Sequence, residues 1–161
     1  MSDLSVQLPS LEDLARLVSG VTEQMFGLPF ALAPEPDRAP EALSAPTARA
    51  AQIRLSGTRP LSVAIALDLE SARDTTAVAF ACPPEQVDGD MIDDLLRELV
   101  NIVAGQLSVL LWLDHGLSLP VSVDPAETTD PARWHGAALR SDKLILWIAV
   151  GEGSPEASPK A

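Results

Sequence analysis

The 161 residues carry a formal net charge of −12, with 23 Asp and Glu against 11 Lys and Arg. That balance excludes a chain built to neutralise nucleic-acid phosphates, which needs clustered Lys and Arg, and it argues equally against anionic membrane surfaces. Hydrophobic residues make up 47% and charged residues 21%, the composition of one globular domain with its own core.

No apolar run reaches the roughly 18 residues of a spanning helix, and the start, MSDLSVQLPSLEDL, shows no basic region followed by an apolar stretch. Cys82 is the only cysteine, so no intrachain disulfide can form. A cytoplasmic location is expected from both features.

In chain order, Ser10 caps a helix that runs to about Phe26, with one apolar stripe from Leu11, Leu14, Leu17, Val18, Val21 and Met25. Gly27 and Pro29 end it. Residues 33–48, rich in Pro, Ala and Glu, read as an extended surface loop. Ala50–Ser56 and Leu61–Asp68 read as two strands, the second supported by alternation of Leu61, Val63, Ile65 and Leu67. Ser71–Cys82 reads as a short helix stopped by Pro83 and Pro84. The longest helix spans Asp88–Leu113, apolar around most of its circumference and closed by Asp114-His115-Gly116. Leu117–Val123 reads as a strand, Asp124–Asp130 as a loop, and Trp134–Arg140 with Leu144–Val150 as a final hairpin. One domain is therefore expected over residues 1–151, with a disordered polar tail from Gly151–Glu152 to Ala161.

A repeat runs through this order. Asp13-Leu14-Ala15-Arg16-Leu17-Val18-Ser19-Gly20 matches Glu98-Leu99-Val100-Asn101-Ile102-Val103-Ala104-Gly105 at a shift of 85 residues. The same shift places Leu61, Val63 and Ile65 on Leu146, Ile148 and Val150, and Ser56 on Ser141. A helix and a distant hairpin recur in one register, so a tandem duplication of a helix-plus-strands unit is expected.

Within the later helix, Glu98 and Asn101 are three residues apart and so are neighbours on one face. An interior Asn costs several tenths of a kcal/mol against Ala, and Gly105 about 1. Glu98-Leu99-Val100-Asn101-Ile102-Val103-Ala104-Gly105 resembles the E-x-x-N-apolar-apolar-A-G signature of the CheC/CheX/FliY chemotaxis phosphatases. Leu117-Ser118-Leu119-Pro120-Val121 resembles the apolar, proline-ended strand that follows that helix in the CheX branch.

The resemblance implies an α+β fold, helices packed on a largely antiparallel sheet with internal pseudo-two-fold symmetry. It implies removal of phosphate from the phospho-aspartate of a CheY-type response regulator. Asn101 would orient the attacking water and Glu98 would pair with a lysine of the regulator. No cofactor is implied on this chain; the regulator brings the Mg2+ and the phosphorylated Asp. A homodimer is implied as well. The first copy has Asp13 and Arg16 where the second has Glu98 and Asn101. Arg offers no acceptor to a water, so this helix should be inactive, which matches the one-site arrangement of the CheX branch.

The plainer reading of Glu98 and Asn101 is a solvated polar face. Two rival functions belong to other classes: a CheX-like adaptor that docks on a receiver or a motility complex without turnover, and a purely structural dimerisation domain. Gly105, matched by Gly20, reads as a packing requirement of the duplicated unit. His115 reads as a cation welcome at a helix C-terminus and Cys82 as a buried small hydrophobe. His135 has no ligand-spaced partner. Trp112, Trp134 and Trp147 read as core or interface aromatics, and Asp93 and Asp94 as acids suited to the helix dipole.

Overall fold

The structure is a computed structural model that describes residues 8–111 and 115–153. Three helices, α1 (Leu11–Phe26), α2 (Leu69–Phe80) and α3 (Gly89–Leu110), pack on one face of a seven-stranded sheet. The strands are β1 (Ala31–Leu32), β2 (Arg49–Gly57), β3 (Leu61–Leu67), β4 (His115–Leu117), β5 (Val121–Val123), β6 (His135–Ser141) and β7 (Leu144–Glu152). Their order is β1-β6-β7-β3-β2, with β4 and β5 following one another along the far side of β2. Every pairing is antiparallel. This is the α+β architecture expected from the sequence.

The helices start and stop where local chemistry dictates. Ser10 caps α1 by accepting from the Asp13 N–H at 3.0 Å, and Gly27 ends it in the left-handed conformation. Asp88 caps α3 in the same way, accepting from the Met91 N–H at 2.9 Å.

The two central strands are buried on both faces and separate their residues by size. Leu61, Val63, Ile65 and Leu67 of β3, with Leu146, Ile148 and Val150 of β7, point into the core under the helices. The alternate positions, Ala64, Ala66, Trp147 and Ala149, form a second core on the opposite face with Ala50, Ala138 and Trp134. Trp147 donates its indole N–H to the Thr128 carbonyl at 2.9 Å. The indole lies where a Cβ on residue 136 would stand, so that position is Gly136.

The duplication is visible in the pairing. A shift of 85 residues exchanges the β3–β7 pair Val63–Val150 with the pair Ile65–Ile148, and carries Ala64 onto its own partner Ala149. The pseudo-two-fold axis therefore passes through the Ala64–Ala149 pair at the centre of the sheet. It relates α1 to α3, β2 to β6 and β3 to β7. The outer strands slip by one residue, because the β2–β3 hairpin closes on Leu55–Leu61 while the tighter β6–β7 hairpin closes on Ser141–Leu144. α2 falls outside the repeat.

Five expectations change. Residues 33–48 are not simply an extended loop: a 3-10 turn at Glu41–Ser44 buries Leu43 in the second core, and Ala33 and Ala39 pack there too. The sheet's alanine-rich back needs that cover. α3 ends at Leu110, and His115 and Gly116 lie in β4 rather than in a helix cap; residues 112–114, Trp112 among them, are outside the described residues. The strand expected at Leu117–Val123 is two strands. Leu117 lies opposite Leu55 and Val121 opposite Gln52, so residues 118–120 face only residues 53–54. The extra residue makes a bulge at Pro120, which has no N–H to give to a ladder. β7 runs on through Gly151 and Glu152, paired with Ser62 and Leu61, into the stretch expected as tail; residues 154–161 are outside the described residues. Cys82 is half-buried rather than buried.

Candidate functional site

α3 is held against the sheet by one broad apolar face. Ile92, Leu95, Leu96, Leu99, Val100, Val103, Ala104 and Leu107 are all buried. Two arginines fix the helix further. Arg49 of β2 pairs with Asp93 at 3.0 Å and donates to the Gly89 carbonyl at 3.4 Å. Arg97 pairs with Asp94 at 2.7 Å and reaches the Ser122 hydroxyl of β5 at 3.3 Å. Asp93 and Asp94 thus have specific partners as well as a favourable place near the helix N-terminus.

With that face turned inward, the remaining stripe points to solvent. Asp94, Glu98 and Asn101 lie on it, all exposed, followed one turn on by half-buried Gly105. Glu98 and Asn101 are adjacent along the helix, about 5–6 Å apart at Cβ by helix geometry. Among the described residues no hydrogen bond engages either side chain. The pair is a carboxylate and a carboxamide side by side, free to turn their polar atoms toward another molecule. A carboxamide has a donor and an acceptor that do not titrate; a carboxylate next to it offers an ion pair to a cation.

The related stripe on α1 is chemically spent. Arg16 pairs with Asp13 of its own helix at 3.3 Å; Arg16 is largely open to water and Asp13 is half-buried. The guanidinium offers only donors. α1 and α3 lie side by side. Between them runs an open, mainly apolar groove of about 510 Å3, lined by Leu17, Gly105, Gln106, Val109 and Leu110 with Arg16 at its rim. Val109 is 75% exposed and Leu110 46%. The expectation that the helix is apolar and buried around most of its circumference, Leu110 included, overlooked this groove. For Val109 its place on the helical wheel, about 40° from Gly105 and away from Leu99 and Val103, was the available signal; Leu110 falls in the same sector as Leu99 and Val103 and is exposed only because it lies at the end of the helix.

The expectation for Gly105 is overturned. A Cβ built there meets no described atom within 4 Å, and the same holds at Gly20. Neither glycine is needed for internal packing.

The other candidates fall to structural roles. His135 donates its Nε2–H to the Pro9 carbonyl at 2.7 Å. Trp134 and Trp147 are buried in the second core. Among the described residues no group of three or more His, Cys, Asp or Glu side chains is placed to hold a metal ion. No helix among them is long and apolar enough to cross a membrane.

No protein-family model matches the sequence, and no curated protein does. Solved structures do match. A chain of the CheX–CheY–BeF3–Mg2+ complex from Borrelia burgdorferi superposes with a TM-score of 0.67 at 16% identity, over 92% of this chain and 100% of that one. The chemotaxis protein CheX from Vibrio vulnificus gives 0.65 at 15% identity, over 87% of this chain and 96% of that one. The likeness extends to a chain of the FliM–SpeE complex from Helicobacter pylori, with a TM-score of 0.58 at 10% identity over 88% and 82%. Identities this low speak to architecture alone: the chain has the fold of the CheX chemotaxis proteins.

Proposed function

We propose that the protein dephosphorylates the phospho-aspartate of a CheY-type receiver domain, using Glu98 and Asn101. The observation that carries this reading is the placement of the pair. On a helix whose opposite face is buried in the core, these two side chains stand exposed on one stripe with no partner among the described residues. They do so in a fold shared with a protein whose solved complex contains CheX, CheY, BeF3 and Mg2+.

The chemistry needs little from this chain. Phosphoryl transfer is governed by positioning and electrostatics. The Asn101 carboxamide oxygen accepts a hydrogen bond from a water and holds it in line with the phosphorus. The water oxygen bonds to phosphorus as the acyl phosphate P–O bond breaks, releasing inorganic phosphate and a free Asp carboxylate on the receiver. Glu98 pairs with a lysine of the receiver and fixes the approach. The receiver brings the Mg2+ that neutralises the transferring group. α3 is the single working helix, because Arg16 on α1 has no acceptor for the water. By the same kinship the protein works as a homodimer in the cytoplasm; the exposed Leu117, Leu119 and Val121 along the β4–β5 edge suit an association surface.

The test is the lifetime of a phosphorylated CheY-type receiver. The wild-type protein shortens it catalytically. Asn101→Ala lowers the rate by about 10²–10³-fold, the usual loss for one positioned group, while leaving receiver binding in place. A wild-type protein that binds the phosphorylated receiver without shortening its lifetime establishes the adaptor reading instead. Absence of any binding removes both.

A further inference from the structure

Gly105 is the residue whose presence the fold does not explain. It lies inside a 22-residue helix, where glycine is the least favourable residue after proline. Its conformation is ordinary helix, so no positive φ demands it. An added Cβ would enter open space, so no neighbour demands it either. Such a glycine leaves the backbone open to close approach from outside; Gly20 on α1 is equally open, so it is the surroundings of Gly105 that single it out. Gly105 follows Asn101 by four residues, one turn along the same exposed stripe, and it forms the floor of the α1–α3 groove beside exposed Val109 and Leu110.

We infer that Gly105 is a clearance and specificity residue for the phosphorylated receiver domain. By omitting a side chain it lets the receiver's surface settle onto α3 beyond Asn101, and it opens the groove to an apolar side chain of that receiver. This rests on the phosphatase reading above, since it takes the receiver as the occupant. The contact is continuous with the Asn101 stripe, so a receiver placed over Asn101 must lie over Gly105. Gly105 touches neither the water nor the phosphorus in this arrangement. It is a positioning residue, and its loss weakens the seating of the receiver on α3 without altering the geometry at the phosphorus once the receiver is bound.

Gly20 supplies an internal control. It is the repeat partner of Gly105, exposed, and equally free of neighbours, but it lies on the helix without the Asn. Gly20→Ala and Gly105→Ala should each raise Tm, because both remove a helix-interior glycine into open space. The experiment follows dephosphorylation of a CheY-type receiver charged with acetyl phosphate, and binding of the same receiver loaded with BeF3 and Mg2+. Gly20→Ala leaves both unchanged. Gly105→Gln, which adds a good helix former that fills the clearance, raises KM by about tenfold or more with kcat held within about threefold, the signature of lost uniform binding. Gly105→Ala gives a smaller shift of the same kind.

If Gly105→Gln stabilises the helix yet leaves KM and BeF3-receiver affinity at wild-type values, the clearance inference is wrong and the phosphatase reading stands. If the wild type accelerates nothing, the phosphatase reading fails, and the affinity of Gly105→Gln for the loaded receiver alone decides the inference. Equal losses in Gly20→Ala and Gly105→Ala would assign the effect to helix mechanics and also overturn it.

Discussion

α1 and α3 are two copies of one helix with different fates. Both sit on the same sheet face, and both bury the same positions of the repeat: Leu14 and Val18 in the first, Leu99 and Val103 in the second. They diverge on the outward stripe. There the first copy pairs Asp13 with Arg16 within its own helix, while the second leaves Glu98 and Asn101 without partners among the described residues. The inward face was held by packing, where a lost methylene is felt at once. The outward face is free to differ, and one copy carries an exposed carboxamide while the other carries an ion pair within its own helix.

The comparison is broken most forcefully in the core. Leu14 and Leu99 occupy matching places and are both almost fully buried. Leu99→Ala and Leu14→Ala should each lower stability by about 2–5 kcal/mol, read by denaturant titration. α3 contacts more of the sheet, so Leu99→Ala should lie at the upper end. A Leu14→Ala loss under about 1 kcal/mol would mean that α1 is a passenger on the fold, and the equivalence of the two copies would go.

A smaller effect is expected on the back of the sheet, where the two halves differ. Trp147 of β7 lies across Gly136, whereas the repeat partner of Trp147 on β3 is Ser62, a residue too small to need such a slot. Gly136→Ala should therefore cost about 1–3 kcal/mol through displacement of the indole, and should weaken the Trp147–Thr128 hydrogen bond. Trp fluorescence during unfolding reads both. An unchanged emission maximum together with unchanged stability would show that the back layer yields easily and is not a second core.

What the sequence made legible follows the same division. The starts of α1 and α3, the strand pair Leu61–Leu67 and Leu144–Val150, and the repeat itself were readable because burial imposes period and size on them. Glu98 and Asn101 were readable because a carboxylate and an Asn interrupt an apolar helix. The cover provided by residues 33–48 was not, because proline and alanine look the same in a free loop and in one laid over an alanine-rich sheet. Leu43 was its one large apolar residue. The bulge at Pro120 and the break between β4 and β5 depend on which carbonyls and N–H groups meet on β2, and no local pattern encodes that. Gly105 was visible from the first, but its meaning was not: a buried and an exposed helix glycine are the same letter, and only the empty space around its missing Cβ separates them.

The finest contrast lies at the two helix starts. Ser10 caps α1 as a neutral hydroxyl at 3.0 Å from the Asp13 N–H, whereas Asp88 caps α3 as an acid at 2.9 Å from the Met91 N–H. Ser10→Ala and Asp88→Ala should each cost about 1 kcal/mol through the lost cap. Asp88→Asn keeps the acceptor and removes the charge, so it isolates the attraction of a carboxylate to the positive end of the helix, about 0.3–1 kcal/mol at low salt. Raising the salt concentration should therefore shrink the Asp88→Asn difference and leave the Ser10→Ala difference nearly unmoved. A salt-independent Asp88→Asn loss would place the effect in hydrogen-bond geometry, and the two caps would then differ in residue type but not in physics.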